Sequence, residues 1–286
     1  MTMRLLAATC LCLLASFAHA QEAAADPDAV VREILELSGA RKQIEQLVAN
    51  SQSEIGDARG QLKPKEQKQF QASMQRVFQT EPLYQALFAH HRGAYDAKKS
   101  AAVLEWLRTP LARKAVELEV RALSVKERPA LRKYAQQIQS KPPPAARQAI
   151  LERLQEASRV MEFNRRMVSV MLRSVVSAFN AAAPPEKRLP PGKLDEVITR
   201  GQEQIGPTLR QSVRAIVLYT YRDLPDADVR AYTQFLESDL GRWYVQVNMD
   251  ANVSAIEQAS TKLGQELSQI MEQKVTETKA KKKKKR

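Results

Sequence analysis

Two proline-rich breaks, SKPPPAA at 140–146 and PPEKRLPPGK at 184–193, interrupt a chain whose apolar residues otherwise recur at helical spacing. Proline lacks the amide donor and clashes with the preceding turn, so the run at 142–144 ends any helix that reaches it. Glycine is scarce, with 9 among 286 residues, and alternating β-branched runs joined by hairpin turns are absent. This pattern predicts an all-α helical bundle built from two related helix-hairpin units. The stiff connector at 141–146 separates a helical unit over 21–140 from a second over 147–278.

The first helix opens at Asp26-Pro27-Asp28 and carries Val31, Ile34 and Leu35. Ser38-Gly39 interrupts it, and a second segment carries Ile44, Leu47 and Val48. Further helices are expected over 64–79, 82–93, 96–108, 110–123 and 125–140, with Ser124 and Glu127 spaced as a capping box. In the second unit the pattern predicts one long helix from about 147 to about 181, then helices over 194–205, 208–222, 226–236 and 239–275.

One local pattern occurs twice. WLRTPLARKAV at 106–116 and FLESDLGRWYV at 235–245 lie 129 positions apart and match at Leu107/Leu236, Leu111/Leu240, Arg113/Arg242 and Val116/Val245. In each, an aromatic ends one helix and a hydroxyl residue, Thr109 or Ser238, stands where the next helix needs an N-cap. Pro110 suits the first helical position, which needs no N–H, and Asp239 suits the same place by charge. The small Ala112 and Gly241 allow a close approach at the corner. Val31, Leu35, Ile44 and Val48 likewise correspond to Ile150, Leu154, Phe163 and Met167, 119 apart, so the chain reads as a duplicated helical unit.

The opening MTMRLLAATCLCLLASFAHA has a basic residue, an apolar run from Leu5 to Ala18, and Ala18-His19-Ala20 as a small-x-small cleavage pattern. Residues 1–20 are expected to be a cleaved signal peptide, which sends the protein to a bacterial periplasm. Both cysteines, Cys10 and Cys12, fall inside it, which excludes a disulfide or a thiolate site in the mature chain. The net charge of +13 is mostly terminal: Lys279, Lys281, Lys282, Lys283, Lys284, Lys285 and Arg286 supply seven charges, Arg4 one, and the body +5. The run at 279–286 is expected to be a disordered tail that touches an anionic lipid surface, while export argues against a nucleic-acid partner.

The stretch YTYRDLPDADVRAYTQFLESDLGRWY, 219–244, resembles the exported bacterial family described as domain of unknown function 2059. That family typically shows an acidic helix start, an aromatic pair, Ser-Pro, and a Gly followed by a basic residue. Asp226, Asp228, Phe235, Ser238, Gly241 and Arg242 match, while Leu236 replaces the usual Tyr and Asp239 the Pro. The first corner departs further, with Trp106, Thr109 and Ala112, though it keeps Pro110. The resemblance covers one helix-turn-helix corner. It implies an exported helical domain and carries over no activity.

Chemistry-bearing motifs are sparse. His90 and His91 are adjacent, so on a helix their rings point about 100° apart and cannot share a metal; a polar surface at a helix end is expected for both. Glu117 and Glu119 stand two apart and do not face one another, and Asp226 and Asp228 suit the first turn of a helix. No catalytic residue, metal site or cofactor is expected. Tyr232, Phe235, Trp243 and Tyr244, with Ile256, are the candidates for a partner-binding groove, since Tyr and Trp anchor such surfaces. Met249, Val253, Ile256, Ser260, Leu263, Leu267 and Ile270 form a heptad seam, suited to the chain's own bundle, to a second copy, or to an envelope protein. The function expected is a non-enzymatic interaction or envelope-associated module. The second reading is a hydrolase acting on an envelope component through carboxylates that converge between helices.

Overall fold

The computed structural model describes residues 26–57, 64–183 and 185–284, excluding side chains at 52–57, 64–67, 182, 185 and 271–284. The leader at 1–20, Lys285 and Arg286 lie outside the described residues. Twelve α-helices and no strand are found among the described residues. They are α1 (Pro27–Leu37), α2 (Ala40–Asp57), α3 (Pro64–Val77), α4 (Thr80–Gly93), α5 (Ala97–Leu107) and α6 (Pro110–Ala122). The chain continues with α7 (Arg128–Ser140), α8 (Ala145–Ala157), α9 (Val160–Ala182), α10 (Pro191–Thr220), α11 (Asp226–Glu237) and α12 (Asp239–Lys284). The fold is an all-α bundle.

The two aromatic-hydroxyl corners have the same hydrogen bonds. Thr109 caps α6: its Oγ1 accepts from the Ala112 amide at 3.2 Å and donates to the Trp106 carbonyl at 2.7 Å. Ser238 caps α12: its Oγ accepts from the Gly241 amide at 3.0 Å and donates to the Phe235 carbonyl at 2.6 Å. Truncating this exposed cap, Ser238→Ala, is expected to lower stability by about 1 kcal/mol in urea denaturation. An unchanged midpoint would mean that the corner is held by packing alone.

The single helix expected from about 147 to about 181 is in fact two. Arg159, with φ of 52°, adopts the left-handed conformation between α8 and α9, just as Gly39, with φ of 69°, does between α1 and α2. Ser38 and Ser158 precede these residues and donate to the carbonyls of Leu35 at 3.2 Å and Gln155 at 3.0 Å. A non-glycine residue pays about 1–2 kcal/mol there, which Arg159 offsets through Glu162 at 2.8 Å and a bond to Gln246. These corners stand 120 positions apart, one more than the apolar spacing of 119. The opposite correction applies to 194–205 and 208–222, which join in α10 with Pro207 inside. Residues 203–205 are exposed, so the carbonyl freed by Pro207 meets water, while buried Ile198 and Val213 hold either side.

The capping box at Ser124 is half made. Ser124 Oγ accepts from the Lys126 amide at 3.3 Å, but the Glu127 carboxylate accepts from the Tyr219 hydroxyl on α10. At the other end of the chain, α12 runs to Lys284, so the backbone of most of the basic run is helical instead of an irregular tail.

The two sequence units share their cores. One cluster joins Val31 and Leu35 of α1, Ile44 of α2, Met74 of α3 and Leu83 and Leu87 of α4 to Ala251, Ile256 and Leu263 of α12. Another joins Leu151 and Leu154 of α8, Val217 of α10 and Val229 of α11 to Ala115 and Leu118 of α6. Each unit therefore closes its core with a helix from the other. The seam on α12 is buried within the chain from Met249 through Val253, Ile256 and Ser260 to Leu263. Arg147 ties α8 to the end of α10, donating through Nη2 to the carbonyls of Tyr221 at 2.5 Å and Leu224 at 2.7 Å.

Candidate functional site

Between the two clusters lies a cleft of about 330 Å³ with a mostly apolar wall. It takes side chains from α2, α4, α5, α6, α8, α9, α10, α11 and α12, and exposed Leu123 and Ile216 line it as well. Its volume falls at the small end of ligand-binding cavities, about 300–1,000 Å³. A larger groove of about 510 Å³ runs between α9 and α12, lined by Ser174, Ala178 and Gly264 among others. That groove is a packing gap between small side chains and holds no buried titratable group, so the central cleft is the better site.

Glu119 carries the chemistry of the cleft. It lies on the face of α6 that also carries Ala112, Ala115 and Val116, which turns it away from the exposed Glu117. Tyr221 and Tyr232 both donate to its Oε1, at 2.6 and 2.9 Å. Among the described residues, Oε2 receives no hydrogen bond. Burial pushes the carboxyl above the ordinary range, and the two hydroxyls pull it part of the way back. Burial first, and the Glu119 charge second, push both tyrosines well above their usual value, so they remain donors.

Aromatic rings panel the same wall. Trp106 stacks on Phe235 with centroids 3.7 Å apart and planes within 4°, and it also meets Tyr232 at 5.6 Å and Tyr244 at 6.4 Å. Tyr221 meets Tyr232 edge-on at 6.3 Å. Beyond Tyr244, the Asn248 side-chain amide donates to the Tyr244 carbonyl at 2.8 Å and stands close to the His91 ring. His91 is buried, at 6 % exposure, which overturns the polar surface expected for it; His90 next to it points elsewhere. Its Nε2 has no hydrogen-bond partner among the described residues. Burial, with the His90 charge adding to it, lowers its pKa to about 4.

The candidate groove residues divide. Tyr232 and Tyr244 line the cleft, and Phe235 backs Trp106. Trp243 packs near Ile34 and Leu107 with the Lys99 ammonium 5.6 Å from its ring, and Ile256 is buried beside α4. Asp226 is paired with Arg147 and makes no side-chain cap on α11. Sequence reasoning missed Glu119. Its signal was positional: Ala112, Ala115, Val116 and Glu119 fall on one helical face.

The lining shows a further regularity. Ser38/Ser158, Ala40/Val160 and Gln43/Phe163 are each 120 apart, and all line the cleft. Leu87/Ile216, Leu107/Leu236, Val116/Val245, Glu119/Asn248 and Leu123/Asn252 are each 129 apart and line it too. No helix among the described residues is long and apolar enough to cross a membrane, and none of their His, Cys, Asp and Glu side chains cluster as a metal site. No family model, no curated protein and no solved structure matches the chain.

Proposed function

We propose that this is an exported, envelope-associated binding protein, non-enzymatic, that takes a small and largely apolar ligand into the central cleft. The observation that carries the reading is the cleft itself: an apolar, aromatic wall of ligand-sized volume around one half-buried carboxyl with two fixed hydroxyl donors. The hydrolase reading calls for two carboxyl groups near one another, and among the described residues Glu119 is the one acid in this lining. Export rests on residues 1–20, and membership of the exported family that 219–244 resembles is part of the same proposal.

Internal duplication belongs to it as well. Under the two offsets α1 corresponds to α8, α2 to α9, α3 with α4 to α10, α5 to α11, and α6 to the start of α12. Position 207, where Pro207 interrupts α10, corresponds to Phe78 in the break between α3 and α4. An ion pair recurs with its signs exchanged: Glu33 with Arg108 at 2.7 Å, and Arg153 with Glu237 at 2.6 Å. Trp106 and Phe235 occupy corresponding positions and stack on one another. In this reading the cleft lies where two copies of one unit meet.

A neutral, polarity-sensitive fluorophore such as N-phenylnaphthylamine tests the ligand-binding reading. Saturable enhancement is expected with the wild-type chain and its loss with Ile216→Trp, which fills the cleft from an exposed position. Enhancement that fails to saturate, or that survives the substitution, would refute a ligand site in the cleft.

A further inference from the structure

We infer that the occupant of the cleft is an apolar molecule bearing one positively charged amine, seated with its nitrogen at Glu119; this rests on the ligand-binding reading above. Among the described residues the lining contains Glu119 and no Lys, Arg or His, in a chain with 45 Lys and Arg residues. Glu119 is half-buried in the cleft, where a carboxylate loses part of its hydration and favours a counter-charge, and the described residues of the lining supply no cation. Tyr221 and Tyr232 both use Oε1, which leaves Oε2 for a donor that enters from outside.

The walls favour the same ligand. Trp106, Phe163, Tyr221, Tyr232 and Tyr244 set five aromatic rings in the lining, and ring faces attract an ammonium within about 6 Å of their centroids. A ligand carboxylate or phosphate would meet an acid and no base. An alcohol could bond to Oε2 but would leave the charge unpaired. The position corresponding to Glu119 is Asn248, so the lining sets an acid against a neutral amide at matched positions. That asymmetry orients a ligand with one charged head and an apolar body.

Isothermal titration of the purified chain with octylamine, octanol and octanoate separates the alternatives. Octylamine is expected to bind about tenfold or more tighter than octanol, and octanoate weakest of all. Glu119→Gln keeps an acceptor for both tyrosine hydroxyls. It should weaken octylamine about tenfold while leaving octanol unchanged. If that variant fails to fold, Trp106→Leu provides the second test, since it should weaken the amine more than the alcohol. Saturable binding with octanol as tight as octylamine would overturn the amine assignment and leave the ligand-binding reading intact. If none of the three binds and the fluorophore fails as well, the cleft is not a ligand site.

Discussion

Replacing Gly241 with alanine lowers the stability of the fold by about 3 kcal/mol, measured as a shift of the urea midpoint at constant slope. A Cβ built on Gly241 stands 1.9 Å from the Phe235 carbonyl oxygen and 2.7 Å from the Leu236 Cα. Both are backbone atoms at the end of α11, so no side-chain rotation relieves the contact. The same carbonyl accepts from Ser238, both from its amide at 3.0 Å and its hydroxyl at 2.6 Å, and moving it strains the cap. Ala112 at the first corner sets the ceiling on the loss. It is wholly buried with its Cβ in place, so a corner of this kind can open enough for a methyl group. A loss below about 1 kcal/mol would mean that the second corner relaxes to the geometry of the first.

Acidification supplies the second large effect. His91 has a pKa of about 4 in the folded chain against an ordinary value of 6.5. The unfolded chain therefore binds the proton more readily, and stability falls as pH drops from 6.5 toward 4. The full shift corresponds to about 3 kcal/mol. Glu119 has the opposite sign: its raised carboxyl favours the folded state as acid protonates it, so the net slope of the wild type is shallower. Comparison with His91→Phe isolates the histidine. That variant also removes the unpartnered Nε2, and its urea midpoint should lack the histidine's share of the acid-side loss. Equal slopes for the two proteins would place the protonation of His91 on an accessible, hydrated ring.

The corners were legible in the sequence because their causes are local. Thr109 and Ser238 cap from their own side chains, and Pro110 stands at the first helical position, whose amide has no intrahelical partner. The left-handed Arg159 was not legible, since nothing about arginine announces that conformation; the serine before it, matching Ser38, was the available signal. Pro207 misled for a related reason, because an interior proline removes one helical hydrogen bond and need not end the helix where packing holds both sides. Glu119 and His91 are a different case. Whether a polar residue near a helix face is buried depends on what packs against that face. For these two the answer comes from α10, α11 and α12, more than a hundred residues away.

The shared cores have a consequence for the time course of folding. The first cluster is closed by α12, the last of the helices, and an ion pair such as Arg76 with Glu266 bridges 190 positions. Contacts so distant in sequence must wait for loop closure, which slows folding relative to a bundle of local hairpins. During synthesis at about 5–20 residues per second, the first unit remains without its closing helix for several seconds. The order of the helices along the chain thus sets an interval in which the first unit is synthesised and still open, because its native core cannot close before α12 arrives.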